Sequence, residues 1–152
     1  MVNTFIGNLG HFLIISSFIA SIVSAYGYLK STNAVDSTEK ESWLKYGRNV
    51  FLIHGILSIG IVAVLVFIIH NHLFEYHYAY SHSSSILPVY YQVSAFWEGQ
   101  EGSFLLWIFW NVLLGFVLIK TNKFWEAPVM AIFGIVQAFL VSMILGVVFF
   151  NV

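Results

Sequence analysis

Four apolar stretches, each close to the length of a bilayer core, constrain this chain more than any other feature. They run from Phe5 to Tyr28, Asn49 to His70, Ser103 to Ile119 and Pro128 to Phe150. A helical residue rises about 1.5 Å, so about twenty apolar residues cross the hydrocarbon of a membrane. Backbone amides in lipid must satisfy one another, which selects helices over open strands. Composition agrees, because 59% of residues are hydrophobic and 9% are charged, where soluble domains carry about 25% charged residues. The expected fold is all-α and integral to the membrane. One membrane domain covers residues 1–152, with four transmembrane helices and a short outer amphipathic helix.

The chain has no cysteine, which rules out a disulfide, a thiolate metal site and a thiol nucleophile within it. A net charge of −1 gives no reason to expect nucleic acid as a partner. Met1 to Gly10 lacks the positively charged start of a signal peptide, so the first span is expected to stay in the protein.

Lys and Arg carry the orientation signal, because short loops bearing them stay cytoplasmic. Lys30, Lys40, Lys45 and Arg48 lie in or beside the first loop, and Lys120 and Lys123 lie in the third. Between Arg48 and Lys120 there is neither Lys nor Arg. This predicts a multi-pass protein of the cell inner (plasma) membrane with the N-terminus and the 71–102 loop outside. The first loop, Ser31 to Tyr46, reads as a solvated connector in which Ser37-Thr38-Glu39-Lys40-Glu41 can start a surface helix. In the fourth span Gly134 and Gly146 are candidates for close helix contact. No internal repeat or low-complexity run is evident.

The outer loop from Asn71 to Trp97 is crowded with aromatic residues: Phe74, Tyr76, Tyr78, Tyr80, Tyr90, Tyr91, Phe96 and Trp97. Rings of this kind favour the membrane–water interface, which accounts for several of them. Ser81-His82-Ser83-Ser84-Ser85 reads as a polar turn, and Pro88 suits the first turn of a helix. Val89, Val93, Phe96 and Trp97 recur at helical spacing, so Pro88 to Phe96 reads as a short amphipathic helix on the outer surface. Then follows Glu98-Gly99-Gln100-Glu101-Gly102 at the mouth of the third span. Glycines there admit close backbone approach or unusual conformations. Glu98 and Glu101 either complement a helix N-terminus or meet a cationic or hydrogen-bonding group on a partner. Trp107 and Trp110 lie in the upper part of the same helix.

Six histidines invite a haem or metal reading. His11 with His70 is the best-matched pair for bis-histidine haem, though nothing in their spacing supports it. No helical two-histidine zinc motif occurs. His54 falls near the inner end of the second span.

The stretch from Tyr78 to Trp107 resembles the CcmF branch of the CcmF/CcsA family, membrane proteins that handle haem during cytochrome c maturation. The matching residues are Tyr78, Ser83, Leu87-Pro88, Tyr91, Ala95, Trp97, Gly99, Glu101-Gly102-Ser103 and Leu105-Leu106-Trp107, with His82 standing before the serine. Glu98 departs from the pattern, where the family usually has glycine. The resemblance implies part of a cytochrome c haem lyase, a wall and outer platform that helps present haem to apocytochrome c. It also implies a haem carrier, the downstream part or subunit of the same lyase, and the lipid bilayer as partners.

Family members are several times longer, and their tryptophan-rich haem motif and haem-ligating histidines lie downstream of the segment matched here. The expectation is therefore an N-terminal part, truncated or separately encoded, with haem handled by the assembly and its ligands outside this chain. Residues expected to face haem or a partner are Tyr78, His82, Pro88, Tyr91, Trp97, Gly99, Glu101, Gly102 and Trp107. Two alternatives stand beside this, a small four-helix b-type cytochrome and a purely structural membrane subunit. No Asp, Glu, Lys or Arg falls mid-span, which argues against an ion-coupled transporter.

Overall fold

A computed structural model describes residues 4–82, 84, 88, 91, 94, 96 and 98–150, the side chains of 149 and 150 excepted. Its elements are α1 (Thr4–Asn33), α2 (Ser37–His70), α3 (His77–His82), α4 (Gln100–Thr121) and α5 (Glu126–Phe150). Helices α1, α2, α4 and α5 are long and apolar enough to cross a membrane. The protein is a multi-pass membrane protein, all-helical among the described residues.

The helices are longer than their apolar stretches, and α2 most of all. It begins at Ser37 rather than Asn49 because polar residues there build a helix start. Asp36 caps it, accepting the Glu39 amide at 3.3 Å. Lys45 pairs with Glu41 one turn away at 3.0 Å, and Trp43 donates its indole N–H to Glu39. The expected connector from Ser31 to Tyr46 is thus helix at both ends, and residues 34–36 make the turn. α1 runs past Tyr28 to Asn33, with Thr32 bonded back to the Tyr28 carbonyl and Lys30 over the Tyr26 ring. α4 starts at Gln100 and ends at Thr121. α5 starts at Glu126, and Pro128 sits in its first turn, where a missing N–H costs nothing.

Beyond α2 the chain reverses at His72, a non-glycine residue with φ 50°. It then enters α3, where Ser81 bonds to the His77 carbonyl at 2.8 Å. Ser81 and His82 are thereby the last residues of a helix, not the first of a polar turn. The expected helix from Pro88 to Phe96 falls largely outside the described residues. Within it Tyr91 and Ser94 are helical, Pro88 is exposed, and Phe96 is a buried turn residue.

α1 packs between α2 and α5, while α4 closes the bundle against α5 and, over a shorter stretch, α2. Lipid tails are as apolar as leucine, so close approach and polar bonds between helices hold such a bundle. Gly27 lies against Gly47, and a Cβ on Gly134 would meet the Ala25 Cα at 2.9 Å. Gly146 faces open space instead, so only Gly134 plays the packing role expected of both. Ser24 bonds the Gly47 carbonyl at 3.1 Å, and Ser31 bonds that of Lys40 at 2.9 Å. The Arg48 guanidinium grips Glu126 with both branches, one at 2.6 Å, joining α2 to α5. All Lys and Arg side chains belong to this end of the bundle; the opposite end is base-free in the sense that it has neither, though histidines gather there.

Candidate functional site

At the base-free end, Tyr78 organises the residues around the start of α4. Its hydroxyl donates to the Phe96 carbonyl at 2.6 Å and accepts from the Gly99 amide at 3.3 Å. One phenol therefore ties α3 to both sides of the turn that leads into α4. The His82 ring lies against it, centroids 4.8 Å apart. Burial pushes the Tyr78 hydroxyl up to about 12, and the nearby Glu101 and Glu98 carboxylates add to this. The Gly99 and Gly102 amides, donors to the phenol oxygen, pull the other way. At neutral pH the group is an uncharged donor, as its bond to a carbonyl requires.

This clamp explains both glycines of the motif. A Cβ on Gly99 would lie 2.5 Å from the Tyr78 ring, and one on Gly102 would fall on the Phe96 carbonyl oxygen. Close approach is what they provide, since no described glycine has positive φ. Gly99 is the N-cap of α4 and Glu101 lies in its first turn, where the helix dipole favours a carboxylate.

Beneath the clamp a cavity of about 880 Å³ runs into the bundle from the base-free end. That volume falls within the ~300–1,000 Å³ usual for small-molecule sites. Apolar residues of all four long helices line it, among them Ile14, Ile61, Leu105 and Ile144. The polar part of its wall comes from His11, Tyr76, His77, Tyr78, His82 and the Glu98–Glu101 turn. Tyr76 is pinned there by the Gly7 amide, 2.9 Å from its hydroxyl.

The expected site residues divide into groups. Tyr78, His82, Gly99 and Glu101 converge on this cavity, and Gly102 is buried directly behind them. Pro88 and Tyr91 are exposed in the outer loop. Trp107 is 63% exposed and points away from the bundle, as Trp110 does. Trp97 lies outside the described residues. His11 enters the cavity wall together with His77 and His82, whereas His70 is not part of it. The arrangement thus gives no support to a His11–His70 haem pair. No cluster of three or more metal-ligating side chains occurs among the described residues.

Two polar constellations were not evident from spacing. Glu126 is buried at 1% exposure against Arg48, although each falls near the end of an apolar stretch. Deeper in the bundle, His54 is fully buried, its Nδ1 3.0 Å from the Ser17 hydroxyl and 3.1 Å from the Ser17 carbonyl. Ser17 also meets Ser58, and Gln137 of α5 bonds the Ile108 carbonyl of α4 at 3.1 Å. The signal in the sequence was a helical stripe of small hydroxyls on α1, Ser17, Ser21, Ser24 and Ser31, all buried.

Comparison with known proteins places the chain. It is 30% identical over 137 residues to the cytochrome c-type biogenesis protein NrfE of Haemophilus influenzae, an alignment covering 84% of this chain. It is 33% identical over 94 residues, 61% of the chain, to the cytochrome c-type biogenesis protein CcmF of the same organism. The chain belongs to the CcmF-like family. These alignments span 20% of that NrfE and 14% of that CcmF, so the CcmF-like chain matches a minor part of each relative. No family model matches it, and no solved structure matches it.

Proposed function

We propose that this CcmF-like chain serves cytochrome c maturation as one wall and the outer platform of a larger haem lyase assembly. The observation that carries the reading is the Tyr78 clamp. It holds Gly99 and Gly102 close against Tyr78 at the base-free end of the bundle, with Glu101 between them at the start of α4. By the charge rule that end faces outside, the side on which such an assembly attaches haem to apocytochrome c. Exposed aromatic rings, Tyr80 and Tyr91 on the outer loop and Trp107 on α4, offer flat apolar surface for haem or for neighbouring subunits.

In this reading the chain supplies position rather than haem ligands. Haem comes from a carrier, and iron ligation and thioether formation fall to the rest of the assembly. Covalent haem on an apocytochrome, scored with this chain expressed with and without the rest of the lyase, tests it. The expected result is attachment only when the lyase is complete. Attachment by this chain alone would show a self-sufficient lyase and overturn the platform role.

A further inference from the structure

The cavity below the clamp has a charge pattern that the platform reading does not use. Its inner wall is aliphatic, with Ile14, Ile61, Leu105 and Ile144 deep in the bundle. The Glu98 and Glu101 carboxylates lie at its polar end, and neither Lys nor Arg lines it. A ligand there needs an apolar body and a head that suits carboxylates. A head with net negative charge is disfavoured, because no Lys or Arg is present to offset the two carboxylates.

We propose that this cavity is a lipid site selective for an aminophospholipid. One acyl chain runs down the bundle axis, and the primary ammonium of the headgroup meets Glu98 and Glu101. Imidazoles of His77 and His82 supply donors for the phosphate. α2 and α4 meet over a shorter stretch than the other packed long helices, and the lipid would enter between them from the surrounding leaflet. An acyl chain gains little by exchanging the bilayer for an equally apolar well. Selection therefore rests on the head, where attraction between exposed opposite charges is modest but discriminating. The lipid would fill the bundle beneath the clamp and brace α1, α2 and α5 against the start of α4.

The test uses the whole chain, purified and offered an equimolar mixture of phosphatidylethanolamine and phosphatidylglycerol with identical acyl chains, with retained lipid counted by native mass spectrometry. Retention of phosphatidylethanolamine in about fivefold excess is expected, the ratio set by roughly 1 kcal/mol of head-group attraction. The double variant E98Q/E101Q should bind lipid with a ratio near one. Gly10→Phe should lose the retained lipid, since a Cβ at Gly10 makes only ordinary contact with Val64 at 3.6 Å and the ring can occupy the well. If Gly10→Phe fails to insert, Val147→Trp fills the same well from α5 and replaces it. Equal retention of both lipids by the native chain, a preference for phosphatidylglycerol, or lipid counts unchanged in the filling variant would overturn the proposal. So would a lysine-bearing apolar peptide that binds where phosphatidylethanolamine does not. None of these readings depends on haem attachment.

Discussion

Tyr78 of α3 holds the Phe96 carbonyl and the Gly99 amide through a single hydroxyl, 2.6 Å from one and 3.3 Å from the other. Removing that oxygen takes one hydrogen bond from a buried carbonyl and one from a buried amide. Tyr78→Phe is therefore expected to loosen the start of α4 by about 1–3 kcal/mol. An effect of that size lowers the ratio of ordered to disordered α4 start about fivefold or more. Hydrogen exchange at residues 98–103 should speed up while the amides of α1 and α2 stay protected. Unchanged exchange would remove the clamp from the account.

The two motif glycines should differ in their tolerance of alanine. At Gly99 the added methyl meets the edge of an aromatic ring, which can shift a little. At Gly102 it meets backbone, the Phe96 carbonyl, which cannot move without breaking the Tyr78 bond. Gly102→Ala should thus cost more than Gly99→Ala, about 3 kcal/mol against about 1 kcal/mol, on the scale of overpacked sites. Thermal unfolding of both variants in detergent measures the order.

Alkali should reveal the buried hydroxyl of Tyr78. Its folded value, about 12, lies above the ordinary 10.0. Deprotonation is thus easier in the unfolded chain, and stability that Tyr78 contributes below pH 10 is lost as pH rises from 10 towards 12. Absorbance at the phenolate band during a pH titration should show a late-ionising tyrosine that is missing in Tyr78→Phe.

Much of the architecture is legible in the sequence. Lipid imposes a length on apolar stretches, and four stretches of that length became α1, α2, α4 and α5. What apolarity could not reveal was how far helix continues into water. Residues from Ser37 onward are helical through the Asp36 cap and the Glu41–Lys45 pair, features that a hydropathy reading passes over. The resemblance around Tyr78 to Trp107 picked out residues that converge, yet one helix carries neighbours to opposite sides. Leu105 lines the cavity while Trp107 faces outward. The Arg48–Glu126 pair was hidden because its partners are far apart in the chain, each just outside an apolar stretch.

That pair should matter to stability more than its place near the helix ends suggests. Glu126 has a fully buried side chain, and Arg48→Leu leaves only the more distant Lys123 ammonium, 3.9 Å away, facing its carboxylate. The expected cost is about 3 kcal/mol. Combining Arg48→Leu with Glu126→Leu should recover most of it, as read by thermal unfolding of the single and double variants.

Orientation can be settled with introduced cysteines, because the native chain has none. Ser84 and Val35 are exposed at opposite ends of the bundle. Ser84→Cys should react with a membrane-impermeant maleimide in intact cells, and Val35→Cys only after lysis. The reverse pattern would place the platform on the wrong side for haem attachment.

The platform role itself is tested most directly by counting covalent haem on an apocytochrome made alongside the assembled lyase, with Trp97→Ala or Glu101→Gln in this chain. The account predicts a clear loss of matured cytochrome in both, with the amount of chain in the membrane unchanged. Normal maturation in both variants would reduce the segment from Trp97 to Ser103 to a helix start with an aromatic flank, and would contradict the proposed function.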